Sequence, residues 1–191
     1  MSLPLLVAAA SLTQPNALAT QAMHNFGACV VREGTAGPRE LLAMDFGTKE
    51  YQRKLRSLAK GHGRCAPGST IGFEGILFSG ALAEALIERD VPSDSLAPRL
   101  AYDPARAPLA ARSAAEEMAL CTVLQAPKAT AALFETQPAT AAETEAMRPI
   151  GPVLTECLKK DMKVELNKPG LRSLLALAAY RIVSQRGGVV Q

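Results

Sequence analysis

A chain of 191 residues with 48% hydrophobic content can bury a core, which excludes bulk disorder. Aromatics make up 4% with no tryptophan while Ala and Leu are abundant, so a β-architecture lacks its usual residues and an all-α fold is expected. The formal charge of +3 is spread evenly along the chain, which excludes a polybasic surface for nucleic acid.

The chain opens on "MSLPLLVAAASLTQPNALATQA". An apolar run from Leu3 to Leu12, then Ala17, Leu18 and Ala19, follows the pattern of a secretory signal cut after Ala19, although no Lys or Arg precedes the run. Residues 1–19 are thus expected to be a signal peptide and the mature chain to be periplasmic or secreted. The run is too short to cross a bilayer comfortably, and no later stretch is an uninterrupted apolar segment of about 20 residues, so no transmembrane segment is expected.

Over residues 23–90 the pattern predicts helices near 23–33, 37–44, 49–60 and 73–89. Thr48 should cap the third, Tyr51, Leu55 and Leu58 should form its apolar face, and Gly61 should stop it. Residues 91–112 hold four prolines (92, 98, 104 and 108), which predicts a wrapped connector, since proline is disfavoured inside helices. Over 113–185 helices are predicted near 113–126, 128–136, 140–148 and 169–185. Ser113 with Glu116 forms a capping-box pattern, and Pro169 suits a first turn. The last helix is apolar around most of its circumference and is expected to be central to the core.

The four cysteines, Cys29, Cys65, Cys121 and Cys157, fall into two pairs each 36 apart. An offset of 92 puts Cys29 on Cys121, Val31 on Val123, Leu41 on Leu133, Thr48 on Thr140 and Cys65 on Cys157. With one further residue, "FSGALAEALI" lies on "LRSLLALAAY". The pattern predicts a disulfide-bonded helical bundle built from a tandem duplication of a four-helix unit of ~65 residues. The copies, 23–90 and 113–185, are expected to merge into one domain, because a unit that small has little core alone. Duplication favours Cys29–Cys65 with Cys121–Cys157, since a bridge within the ancestral unit would be copied intact. The rival pairings are Cys29–Cys121 with Cys65–Cys157, and Cys29–Cys157 with Cys65–Cys121.

The stretch "LAKGHGRCAPGST" places Cys65 beside Lys60, His62 and Arg64, a setting that can activate a thiol. The matching stretch of the second half lacks His62, Arg64 and the glycines, so the shared cysteines are read as structural. No metal is expected, for want of Cys-x-x-Cys and His-x-x-x-His spacing. No Gly-x-Ser-x-Gly elbow accompanies the two histidines, His24 and His62, which are read as surface and solvated-loop groups. The glycines at 61, 63, 68, 72 and 75 do not form a nucleotide fingerprint. Glu116/Glu117 and Glu143/Glu145 are read as solvated charge, and Lys159, Lys160 and Lys163 as a solvated helix face.

No catalytic residues and no cofactor are thus assigned. The expected class is an exported binding or inhibitor-type protein without catalysis, whose partner is a protein, such as a toxin or enzyme that it neutralises, or an envelope component. The alternative is a carrier of a small apolar ligand held between helices, suggested by the Leu- and Ala-rich helices and by Met118, Met147 and Met162. A thiol-dependent enzyme using Cys65 with His62 is the third reading.

Overall fold

The computed structural model describes residues 17–66, 75–105, 107–159 and 167–187. Among these residues there are ten α-helices and no strand: α1 (Ala17–Glu33), α2 (Ala36–Ala43), α3 (Lys49–Gly61), α4 (Gly75–Asp90), α5 (Ser93–Leu100), α6 (Ala114–Gln125), α7 (Pro127–Phe134), α8 (Ala141–Met147), α9 (Ile150–Cys157) and α10 (Lys168–Gly187). A short 3-10 turn, Gly63–Cys65, follows α3. Residues 1–16, which hold the expected signal run, lie outside the described residues, as do Gly68, Gly72, Lys160, Met162 and Lys163.

The caps form where the sequence placed them. The Thr48 hydroxyl accepts from the Tyr51 N–H at the start of α3, and that of Ser113 accepts from the Glu116 N–H at the start of α6. Thr140, at the offset of 92 from Thr48, accepts from the Glu143 N–H at the start of α8. Both threonines also donate backwards, Thr48 to the Asp45 carbonyl and Thr140 to that of Gln137. The glutamates return the contact one residue earlier than a standard capping box: Glu116 accepts from the Arg112 N–H at 2.6 Å and Glu143 from the Ala139 N–H at 2.8 Å.

Packing runs in a row, with α1 against α4, α4 against α10, and α10 against α6. Ten consecutive residues of α4, Phe78 to Ile87, are buried, so this helix is enclosed all round. Leu174, Leu175, Ala176, Ala178, Ala179, Ile182 and Val183 bury α10 in the same core. Each fully buried leucine here, such as Leu82, Leu86 or Leu175, contributes about 1.5–3 kcal/mol. Phe26 of α1 meets Phe78 of α4 at a ring-centroid separation of 5.1 Å.

Two glycines set the closest approaches. A Cβ on Gly27 would lie 2.5 Å from the Ala81 Cβ, and one on Gly80 would lie 2.5 Å from the Ser173 Cα. Gly80 and Ser173 are equivalent positions under the internal alignment, so α4 and α10 cross at the same point of each helix. Gly80→Ala should gain ~1 kcal/mol of helix propensity and lose more to overlap with the backbone of α10, typically ~1–3 kcal/mol for overpacking. The expected net result is a lower denaturation midpoint, with partial recovery in Gly80→Ala/Ser173→Gly; an unchanged midpoint would mean the helices can separate freely.

The structure departs from the sequence reading in two elements. The proline-rich connector contains α5, with Pro98 inside it. Pro98 is exposed while Leu96 and Leu100, four apart, are buried on the opposite side. In so short a helix the lost N–H bond is a small term beside that burial. The segment before Cys157 is also helical, as α9, with Pro152 tolerated in its first turn.

Candidate functional site

Two disulfides close the expected pairs, Cys29–Cys65 and Cys121–Cys157, with Cα–Cα distances of 5.7 and 5.8 Å. One ties α1 to the 3-10 turn and the other ties α6 to the end of α9. No cysteine is free. Cys65 therefore carries no thiolate in this state. Glu33 approaches the first bridge, and the Cys29, Glu33 and Cys65 ligand-type atoms lie within 4.8 Å of one another. With both sulfurs bonded to each other, that grouping offers a metal only a carboxylate. His62 is half-buried: its Nδ1–H donates to the Leu58 carbonyl at 2.8 Å and its Nε2 lies 3.7 Å from a Glu33 oxygen. Lys159 pairs with exposed Glu117 at 2.7 Å. Met118 is buried and Met147 packs at the edge of the same core.

The reading of the glutamate pairs as solvated needs correction for one member of each. Glu116 and Glu143 are buried, while Glu117 and Glu145 are exposed. The cap geometry turns the former inward, where arginines of α10 meet them: Arg181 pairs with Glu116 and Arg172 with Glu143. His24, also read as a surface group, is half-buried in α1, with its Nδ1 3.8 Å from a Glu84 oxygen.

Arg172 is the centre of a buried ionic cluster. It is 4% exposed, Glu84 5% and Glu143 3%. Its Nε donates to Glu84 Oε2 at 3.0 Å, and one Nη2 hydrogen goes to Glu84 Oε1. The other Nη2 hydrogen goes to the Thr136 carbonyl at 2.8 Å, and Nη1 serves Thr136 Oγ1 and Glu143 Oε1, both at 3.1 Å. Five acceptors thus meet the five donors of a guanidinium. Burial opposes the charge on Arg172, but the Glu84 hydrogen bond and the Glu84 and Glu143 carboxylates outweigh it, and its pKa moves upward overall. Ala139, beside the cluster, adopts φ 59°, a left-handed conformation costing about 1–2 kcal/mol for an L-residue, and its N–H is thereby delivered to Glu143.

A cavity of about 120 Å³ lies between α2 and α3 on one side and α6 and α10 on the other, with α4 as its floor. Leu42, Phe46, Ile76, Leu174 and Leu177 supply most of its wall. Its polar lining consists mainly of Tyr51, Ser79, Glu116, Arg112 and Arg181. The Tyr51 hydroxyl hydrogen-bonds Ser79 Oγ, and Ser79 donates to the Gly75 carbonyl at 2.8 Å. Arg112 is turned away onto the Met44 and Ala43 carbonyls, and Arg181 is held by Glu116 and the Ala110 carbonyl.

Residues around the cavity and residues of the ionic cluster fall on one another at the sequence offset of 92 to 93. Under the internal alignment Tyr51 corresponds to Glu143, Met44 to Thr136, Glu116 to His24, Ser79 to Arg172 and Leu177 to Glu84. The Tyr51–Ser79 bond on one side thus stands where the Glu143–Arg172 ion pair stands on the other. At one location the guanidinium and its acceptors leave a space of about 20 Å³ beside Arg172, next to a wider cleft of about 390 Å³ along His24, Glu84 and Thr136. At the other, a serine in place of the arginine leaves open, mainly apolar space.

Burial raises the Tyr51 pKa above its ordinary 10.0, opposed by the Ser79 hydroxyl, which can turn to donate once Tyr51 has lost its proton, and by Arg112. A proton held more tightly in the folded state gives stability that is present below pH ~10 and lost as pH rises toward the folded value. Stability of the native chain should therefore fall above pH 10 by a component that Tyr51→Phe lacks. Parallel urea titrations at pH 8 and 10.5 check this, and equal alkaline losses in both proteins would refute it.

Sequence reasoning missed the working set of this region: Glu84, Arg172 and Arg181 are single charges inside apolar helices, and Tyr51 was read only as part of an apolar face. The mismatched pairs Tyr51/Glu143 and Ser79/Arg172 within an otherwise matching alignment were the available signal. No protein-family model matches the chain, and no curated protein or solved structure matches it either.

Proposed function

We propose that the chain is an exported binding protein without catalysis, and that it takes a small, mainly apolar molecule into the cavity between its halves. The observation that carries this reading is the preformed, mainly apolar space of about 120 Å³ beside Ser79, where the aligned Arg172 leaves about 20 Å³. Its size is close to the ~150 Å³ of an engineered apolar cavity that takes up benzene. The space is a partly open, mainly apolar pocket between helices, a shape that suits a small ligand better than a macromolecule.

Export is supported by the two bridges, which persist in oxidising compartments, and by the signal-like start. A cut after Ala19 would remove the first residues of α1 while keeping Met23, Phe26, Val30 and Val31, which anchor it in the core. No helix among the described residues is long and apolar enough to cross a membrane.

Tandem duplication into one merged domain is supported by the matched bridges, by the matched caps at Thr48 and Thr140, and by Gly80 meeting Ser173. In an arrangement with twofold symmetry, a position meets its own equivalent at the axis. The thiol-enzyme reading loses its nucleophile, because Cys65 is bonded to Cys29.

The test is organic extraction and mass spectrometry of protein purified from its native source, with melting curves in a panel of benzene, toluene and indole. A bound apolar molecule, or a melting shift with members of the panel, is expected. An empty protein that none of the panel stabilises would overturn the reading.

A further inference from the structure

We propose that the cavity selects apolar molecules carrying one hydrogen-bond donor, a hydroxyl on a benzene-sized body, because the two hydroxyls in its wall offer only lone pairs. The inference rests on the ligand-binding reading above. Its basis is a count of hydrogens.

Ser79 has one hydroxyl hydrogen, and it goes to the Gly75 carbonyl one turn earlier on α4. In its contact with Tyr51, Ser79 must therefore accept. The single phenolic hydrogen of Tyr51 is then spent on Ser79. What remains on both oxygens is acceptor capacity, and both residues are buried and line the cavity. An incoming O–H finds a partner there. An ether, carbonyl or carboxylate oxygen meets lone pairs with no hydrogen between them.

The charged groups in the wall do not reverse this preference. Glu116 accepts from Arg181 and from the Arg112 N–H, Arg181 also serves the Ala110 carbonyl, and the Arg112 guanidinium serves two carbonyls of the α2 end. Arg112 and Arg181 each spend two of their five N–H groups in this way, and the rest belong to side chains that reach solvent, Arg112 exposed and Arg181 partly so. Ser79 and Tyr51 form a buried, hydrogen-bonded pair in the wall, and their unspent capacity is for accepting.

Toluene and phenol have nearly the same shape and differ in the donor, and benzoate presents an anionic acceptor on the same ring. Isothermal titration of the full disulfide-bonded chain with each should show phenol bound about tenfold tighter than toluene, the worth of one well-made hydrogen bond, and benzoate weakest. Tyr51→Phe/Ser79→Ala removes both oxygens together, so no buried partner is orphaned, and should reverse the order in favour of toluene. Melting curves recorded in parallel establish that the variant is folded, and Tyr51→Phe alone, expected to narrow the preference, serves if it is not.

Toluene binding the native chain as tightly as phenol would overturn the donor rule and leave the ligand-binding reading standing. Tightest binding by benzoate would overturn it in favour of recognition by Arg112 and Arg181. Failure of all three probes to bind the folded native chain would overturn both readings together.

Discussion

Arg172→Ser should lower the stability of the fold by about 3–5 kcal/mol, the usual cost of stranding buried charges by removing their partner. Glu84 and Glu143 would remain inside the core without their guanidinium, Glu84 keeping only the His24 imidazole 3.8 Å away, and the Thr136 carbonyl would lose a donor. Against a total of ~5–15 kcal/mol for a domain, that is a large share. The pair itself need not be a large net gain, because desolvation offsets much of its attraction. That distinction is testable within the chain. Arg172→Ser/Glu84→Leu/Glu143→Tyr copies the Ser79, Leu177 and Tyr51 chemistry of the equivalent location, and should recover most of the loss. Urea denaturation of the three proteins decides: if the triple variant is as weak as the single one, stranded charge is not the cause.

Removing the bridges should have a comparable effect by a different route. Each closes a loop with a sequence separation of 36, for which the chain-entropy model gives about 3–4 kcal/mol. Cys29→Ala/Cys65→Ala should cost about that amount. Cys121→Ala/Cys157→Ala should cost more, because Cys157 is a buried member of the core and its truncation adds a packing defect. The four-alanine chain should be largely unfolded at 37 °C. Denaturant midpoints of the three variants check the order, and equal losses from the two bridges would show that Cys157 packing contributes nothing.

Elements with a local chemical cause were legible in the sequence. Thr48 and Ser113 declare helix starts because a short hydroxyl there can satisfy an N–H that the helix leaves open. The even spacing of the cysteines gave the right pairing. α5 and α9 were missed because Pro98 and Pro152 argue against helix, whereas the burial of Leu96, Leu100 and Ile150 is a tertiary gain outweighing that local signal. The inward turn of Glu116 and Glu143 was hidden for the same reason. An N-terminal glutamate reads as solvated until the arginine facing it, on a helix far along the chain, is known. The cavity is less legible still, since it depends on what Ser79 is not.

The crossing of α4 and α10 also bears on the order in which the molecule can become itself. Emerging N-terminus first, the chain can pair α1 with α4 early, because both lie in its first half. The other side of α4 stays bare until α10, last of the described helices, arrives, and until then Glu84 and Glu143 have no guanidinium to receive. Long-range closure of this kind is slow and leaves apolar surface open to other chains. A nascent form with α1 to α9 made would thus be at its most vulnerable just before completion, and the arrival of one arginine-bearing helix would commit the whole assembly.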